Sequence, residues 1–383
     1  MTGSGYQYCE GGKGAQNSAQ SIKKARGMYQ RHLKERRQMK ILIPLEDSLY
    51  GSLVVNFLAQ HEWPEDTSFR VVTVVEPYFL DRDSKVDFAE FLSSTDRLIL
   101  SSANRIVEEV AGYIKEAFPN AAVTSDVFKG HVTEVLVAQA RDWNADLIVA
   151  GTHGRGGFNR FFLGSTSLAL LNEAPCPTLL VKPDEKMLAA WEHINLDEIP
   201  TDTIQKYFSQ PCNNKSASRI LIAVDETELS LQMIDFVTKQ RWTQPARFKL
   251  LTCLRQPGWL GRLPLPGMAD AYQQLKKDRT CRLRTQALML RDFYHSPHIE
   301  EELVEGDPKR VILDKAVAWG ADLIIVGCHL RGPAQRMAVG SVGMAVLCAA
   351  PCNTLLLRQE TSDSSYLKTK TVANEMYANI CQP

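Results

Sequence analysis

The tetrapeptide Ala145-Asp146-Leu147-Ile148 recurs unchanged as Ala321-Asp322-Leu323-Ile324, and the positions around it recur at the same interval of 176. Gly151 returns as Gly327, His153 as His329, Gly164-Ser165 as Gly340-Ser341, and Ala174-Pro175-Cys176 as Ala350-Pro351-Cys352. Upstream, Lys40-Ile41-Leu42-Ile43 matches Arg219-Ile220-Leu221-Ile222 at an interval of 179, so the second copy is three residues shorter between its first strand and Gly306, the counterpart of Gly130. A chain with this register folds as two copies of one unit, which suits its 383 residues better than a single core does. The layout is a basic extension over 1–39, a first domain over 40–182, a linker strap over 183–217, a second domain over 218–358 and a polar tail over 359–383.

Each copy alternates short apolar runs with helical patterns. In the first, strands are expected at 40–45, 69–75, 122–128, 146–151 and 177–182, with helices at 48–61, about 88–118, 132–143 and 165–173. Apolar strands alternating with helices give an α/β fold: two tandem doubly wound domains, each a five-stranded parallel sheet between helices.

The densest chemical signal follows the strand that ends at Gly151. Gly151 and Gly154 stand three apart; nine residues then lead to Gly164-Ser165-Thr166, which opens a helical pattern. Glycines bring bare backbone to a helix start, where unpaired N–H groups and the positive end of the dipole attract an anion. No lysine follows the late glycine as a P-loop requires, and G-x-G-x-x-G is absent here, so neither of those phosphate motifs applies.

This G-x2-G-x9-G-[ST] spacing between a strand and a helix resembles the nucleotide-binding signature of the universal stress protein family, whose known members of this type bind ATP. The resemblance covers both copies, and the chain looks like a tandem member. It implies ATP as the ligand, with or without Mg, held in the first copy by Glu46 at the ribose, main chain at Val74 near adenine, and Gly151, Gly154, Gly164, Ser165 and Thr166 around the phosphates. Glu46 stands where the family places Asp. In the second copy the matching positions are Asp225, Cys253, Gly327, Gly340 and Ser341, but Leu330 replaces the second glycine and Pro333 follows, which fills phosphate space and removes a donor. One good nucleotide site is therefore expected, in the first copy. The second binds weakly, binds a smaller ligand, or only packs.

The resemblance also implies how the copies meet. The family commonly dimerises through its last strand, and here Pro177-Thr178-Leu179-Leu180-Val181-Lys182 and Asn353-Thr354-Leu355-Leu356-Leu357-Arg358 are closely matched apolar edges. Pairing them satisfies both sets of backbone groups, so an intrachain pseudo-dimer is expected, with a further homodimer left open.

Catalytic machinery is thin: His153 and His329 recur, but no nucleophile elbow, H-E-x-x-H or metal-ligand spacing appears. Three functions stand: a stress-response or signalling protein acting through ligand-dependent conformation or an unidentified regulatory protein partner, a slow ATP-hydrolysing enzyme, and a ligand-free interaction module. With 44 basic and 44 acidic residues no global field recruits nucleic acid or membrane. Only the extension, with nine Lys or Arg through Lys40 against two Glu, offers such a contact. Nine cysteines without a C-x-x-C pair suggest reduced thiols, and no apolar run approaches membrane-spanning length, so a soluble cytoplasmic protein is expected. Leu188, Trp191, Ile194, Leu196, Ile199, Tyr207 and Phe208 suggest that the linker packs on a domain, whereas the tail is expected to be mobile.

Overall fold

The computed structural model describes residues 38–45, 48–76, 88–152, 163–183, 218–240, 242, 246–255, 267–294, 298–328, 339–358, 373 and 377–378. The first copy runs β1 (Lys40–Leu45), α1 (Ser48–Ala59), β2 (Ser68–Val75), α2 (Phe88–Ala117), β3 (Ala122–Lys129), α3 (Val132–Asp142), β4 (Leu147–Gly151), α4 (Ser165–Glu173) and β5 (Thr178–Val181). The second repeats it as β6 (Arg219–Ala223), α5 (Glu228–Lys239), β7 (Arg247–Leu254), α6 (Met268–Tyr294), β8 (Ile299–Glu305), α7 (Pro308–Trp319), β9 (Leu323–Cys328), α8 (Ser341–Ala349) and β10 (Asn353–Arg358). All ten strands form one sheet in the order β3-β2-β1-β4-β5-β10-β9-β6-β7-β8. Within each half every pair is parallel, as the alternating pattern anticipates.

Alternation of side chains along the strands makes two cores, one per face. Ile41 and Ile43 join the core under α1, α2, α5 and α6, while Leu42 between them joins the core under α3, α4, α7 and α8. All three are fully buried, because a strand covered on both faces is apolar at consecutive positions. Each core contains side chains from both copies, so burial is continuous across the joint.

The repeated tetrapeptide has a structural reason at its second residue. Asp146 Oδ2 accepts the Lys40 N–H at 2.8 Å while Asp146 N–H donates to Lys40 O at 2.9 Å. Asp322 does the same to Arg219, both bonds at 2.9 Å. The carboxylate caps the entering end of β1 or β6, which is why β4 begins one residue later than expected, at Leu147.

The joint is the antiparallel pair β5–β10, with Leu180 opposite Thr354, Leu179 opposite Leu355 and Thr178 opposite Leu356. Two cations reinforce it reciprocally. Lys182 Nζ donates to Leu347 O at 2.9 Å and Ala350 O at 3.0 Å, at the carboxyl end of α8. Arg358 donates to Leu171 O in the last turn of α4. A cation from each copy thus meets the negative dipole end of the other copy's last helix. Burial nevertheless pulls the Lys182 ammonium down to about 8, and lowers Arg358 as well. Lys182 N–H also donates to Asn353 Oδ1 at 2.9 Å, and Val339 N–H to Asn172 Oδ1 at 3.1 Å. The edge pairing expected from sequence is present within one chain.

Two expectations are corrected. The tail is not wholly loose: Ala373 is buried in the core that contains Leu283 and Ala287 of α6, and the Tyr377 ring lies under the Arg282 guanidinium, 4.5 Å from its carbon to the ring centre. Nor are all thiols reduced, since Cys281 on α6 is disulfide-bonded. The basic extension to residue 37, the linker from 184 to 217, Glu46, and the loops 153–162 and 329–338 also lie outside them, with His153, Gly154, His329, Leu330 and Pro333. Among the described residues no helix is long and apolar enough to cross a membrane.

Candidate functional site

In each half the strand order reverses between the first and fourth strands, so the crevice beyond their carboxyl ends is where an open α/β sheet takes a ligand. In the first copy that crevice is bordered by the ends of β1, β2 and β4 and by the start of α4. Gly164 is the N-cap of α4, with φ −59° and ψ 154°. Its N–H donates back to Thr152 O at 3.0 Å, and its carbonyl accepts the first helical bond, from Leu168 N–H at 2.9 Å. The expectation that Gly164 itself supplies an N–H to phosphate therefore meets a competing bond. Ser165 and Thr166 precede the ladder, so their N–H groups emerge at the helix start, with Ser165 exposed and Thr166 half-buried. Ser167, which the sequence reading passed over, donates its hydroxyl to Gly151 O at 2.9 Å and ties the helix start to the end of β4.

A second tie was also missed. Thr73 Oγ1 donates to Leu45 O at 2.6 Å, and its counterpart Thr252 to Val224 O at 3.0 Å, so each second strand is fastened to the last residues of the first just below the crevice. The repeat of a threonine at matching register was the available signal. Val74 is half-buried next to the end of β2 and lies opposite Phe128 of β3. Beyond it Gly130 sits at φ 145°, and a Cβ there would lie 2.9 Å from Val135 Cγ2, so only glycine lets α3 start this close to the sheet. Glu76 Oε1 accepts the Val132 N–H at the start of α3, at 3.3 Å, which places an acid on that rim.

The second copy fills the same places differently. Asp225 stands after β6 as expected, but its Oδ1 accepts the Thr227 N–H at 2.9 Å, the Thr227 hydroxyl, and the Ser230 hydroxyl at 2.7 Å. The carboxylate is engaged with the start of α5. Gln286 of α6 joins this group by donating to Asp225 O at 3.1 Å. Gly327 is a packing glycine: a Cβ would lie 2.6 Å from Leu229 Cδ2 and 3.0 Å from Met233 Sδ. Gly340 caps α8 as Gly164 caps α4, with open space around a Cβ, and Ser341 is exposed. Cys253 is half-buried, its thiol pushed up to about 11 by burial and by Asp307. Beyond it a polar cleft of about 380 Å³ is lined by Arg255, Gly306, Asp307 and Lys309. Arg255 stands where the first copy has Glu76, and it pairs with Asp307 at 3.4 Å, so the rim charge is reversed.

The first-copy residues thus brought to one crevice are Val74, Gly151, Gly164, Ser165 and Thr166; Glu46 and Gly154 lie outside the described residues. Among the described residues no cluster of His, Cys, Asp or Glu could hold a metal ion. Hydrogen-bond donors at a helix start can hold an anion.

Known proteins place this architecture. A universal stress protein of Mycobacterium tuberculosis strain H37Rv is 23% identical over 267 residues, spanning 69% of this chain and 77% of that protein. A second from the same strain is 23% identical over 335 residues, spanning 83% and 94%. Among solved structures, a universal stress protein from Archaeoglobus fulgidus superposes with a TM-score of 0.54 at 17% identity, covering 85% of this chain and 97% of that one, which bears on the fold. The family model described as Universal stress protein family matches twice, over residues 39–182 and 217–358, so the two copies joined at β5 and β10 make this chain a tandem member of the universal stress protein family.

Proposed function

We propose that the first copy binds an adenine nucleotide, ATP by the family resemblance, and that the bound nucleotide sets the conformation or partner choice of a stress-response or signalling protein. The observation that carries this is the start of α4. Gly164 ends the turn directly beyond β4 at the reversal in strand order, and Ser165 and Thr166 present N–H groups there. An anion at that point meets donors and the positive dipole end. Glu46 is the ribose partner in this reading, the backbone near Val74 faces adenine, and Gly151 and Gly154 leave room for phosphates. The second copy is the weaker site, because Asp225 is already engaged with Thr227 and Ser230.

Titration of the purified chain with ATP tests this, together with mass spectrometry of any nucleotide released on denaturation. The expected result is one strong equivalent per chain, abolished by Gly154→Leu, whose side chain enters the phosphate path. Binding unchanged in that variant, or two equal sites, would overturn the reading. Overnight incubation with Mg-ATP that yields product well above one equivalent would replace the binding protein by an enzyme.

A further inference from the structure

We infer that His61 makes the joint between the copies acid-sensitive, because a proton taken up there sets a charge into an apolar cavity that both copies build. The cavity encloses about 30 Å³ on the face of the sheet that α1 and α5 cover. Its walls are counterparts in the two copies: Phe57 is matched by Phe236 and Trp63 by Trp242, each at the interval of 179, and leucines of β4, β5, β9 and β10 supply two further matched pairs. One pair differs. The first copy has His61 where the second has Gln240, so a symmetric apolar lining contains a single titratable group, contributed by one copy.

His61 follows α1 by two residues, its ring centre 4.1 Å from that of Phe57, 6.0 Å from Trp63 and 6.3 Å from Trp242 of the other copy. Both indoles are held by matched bonds, Trp63 to Leu58 O at 2.9 Å and Trp242 to Val237 O at 3.0 Å. His61 Nδ1 lies 2.8 Å from Phe57 O, which can only accept, so the neutral ring carries its proton on Nδ1 and a new one must go to Nε2. No carboxylate among the described residues lines the cavity to balance an imidazolium. Around it, Glu62 is exposed, Lys239 pairs with Asp235 at 2.6 Å, and Tyr294 of α6 donates its hydroxyl to Gln240 O at 3.2 Å. A space of this size holds a water or two, so a hydrated anion does not follow the proton in. Burial accordingly holds the imidazole below its ordinary 6.5, against the opposing pull of the Phe57 carbonyl. The aromatic faces repay only part of the lost hydration. Below pH 6.5 the unfolded chain takes the proton first, so stability is lost as the pH falls toward the folded value.

Urea unfolding of the full chain at about pH 7 and about pH 5 tests this against His61→Gln, which introduces the second copy's residue. The parent midpoint should fall further on acidification than the variant's, since every other titrating group is shared. Tryptophan emission of the folded parent should show a step centred below pH 6.5, because an imidazolium quenches nearby indoles, and the step should vanish in the variant. Gln240→His is read independently of that variant: a second imidazole in the cavity should make the acid loss steeper than the parent's. Equal pH dependence in parent and His61→Gln, an emission step centred at or above pH 6.5, or a Gln240→His profile identical to the parent's would each overturn the inference.

Discussion

The two copies share a backbone plan and spend their polar residues differently at the mouth of the sheet. At one pair of matched positions the first copy has Gly51 and Val110, and the second has Ser230 and Gln286. A Cβ on Gly51 would lie 3.1 Å from Val110 Cγ2, so helix packing there is apolar and close. In the second copy Ser230 and Gln286 instead hold Asp225. A buried polar group costs least when its bonds are made, and the exchange came with a network that occupies the acid, although the Gln286 Oε1 in it has no hydrogen-bond partner. The rim follows suit, with Glu76 in one copy and Arg255 in the other. Duplicated units can keep a fold while the polar residues at the mouth of the sheet take different partners in each.

The sharpest way to break the comparison is to separate the copies. Leu355 is 3% exposed at the joint, and Leu355→Asp places an unpaired charge between two sheets that are otherwise one. A loss of about 3–5 kcal/mol is expected in urea unfolding, with the single transition of the parent splitting in two. Retention of one transition at the parent midpoint would mean that the joint contributes little.

Next in size is a contrast between two glycines of the second copy. Gly327→Ala should cost about 1–3 kcal/mol, because Leu229 and Met233 must move. Gly340→Ala should stay within about 0.5 kcal/mol, since nothing lies within 4 Å of its Cβ. Equal effects would show that the matched glycines are not divided between packing and capping.

A third pair of variants compares the helix starts. Ser165 and Ser341 occupy the first helical position, which proline tolerates while removing one N–H. Ser165→Pro should weaken ATP binding about tenfold or more with thermal stability unchanged, the size of one charge-assisted bond, while Ser341→Pro leaves the strong site intact. Identical losses in both would place the ligand elsewhere.

The smallest effect concerns the joint's cations. Lys182 titrates near 8 in the folded chain against 10.5 unfolded. Between these values the unfolded chain holds the extra proton, so stability rises with pH from about 8. Cys253, raised from 9.0 to about 11, makes the folded chain hold the extra proton above pH 9 and opposes the rise there. A gain of about 1 kcal/mol from pH 8 to pH 9 should therefore appear in denaturation midpoints and disappear in Lys182→Met. A flat parent profile would remove Lys182 from the account.

The repeat, the two-domain plan and the parallel sheet were legible in the residues, because strand and helix periodicity and glycine placement are local properties of the chain. So was the pairing of β5 with β10, since two matched apolar edges in one chain have few better partners. What only tertiary structure decided is where each polar group spends its bonds. Asp146 reads as part of a strand and caps the end of β1; Gly164 reads as a phosphate donor and returns its N–H to Thr152; Asp225 reads as a ribose ligand and holds α5. Lys182 and Arg358 read as strand-end charges and brace the opposite copy. Hydrogen-bond partners that lie up to 187 residues apart are fixed by the packing of two cores, and no window of sequence contains both members of such a pair.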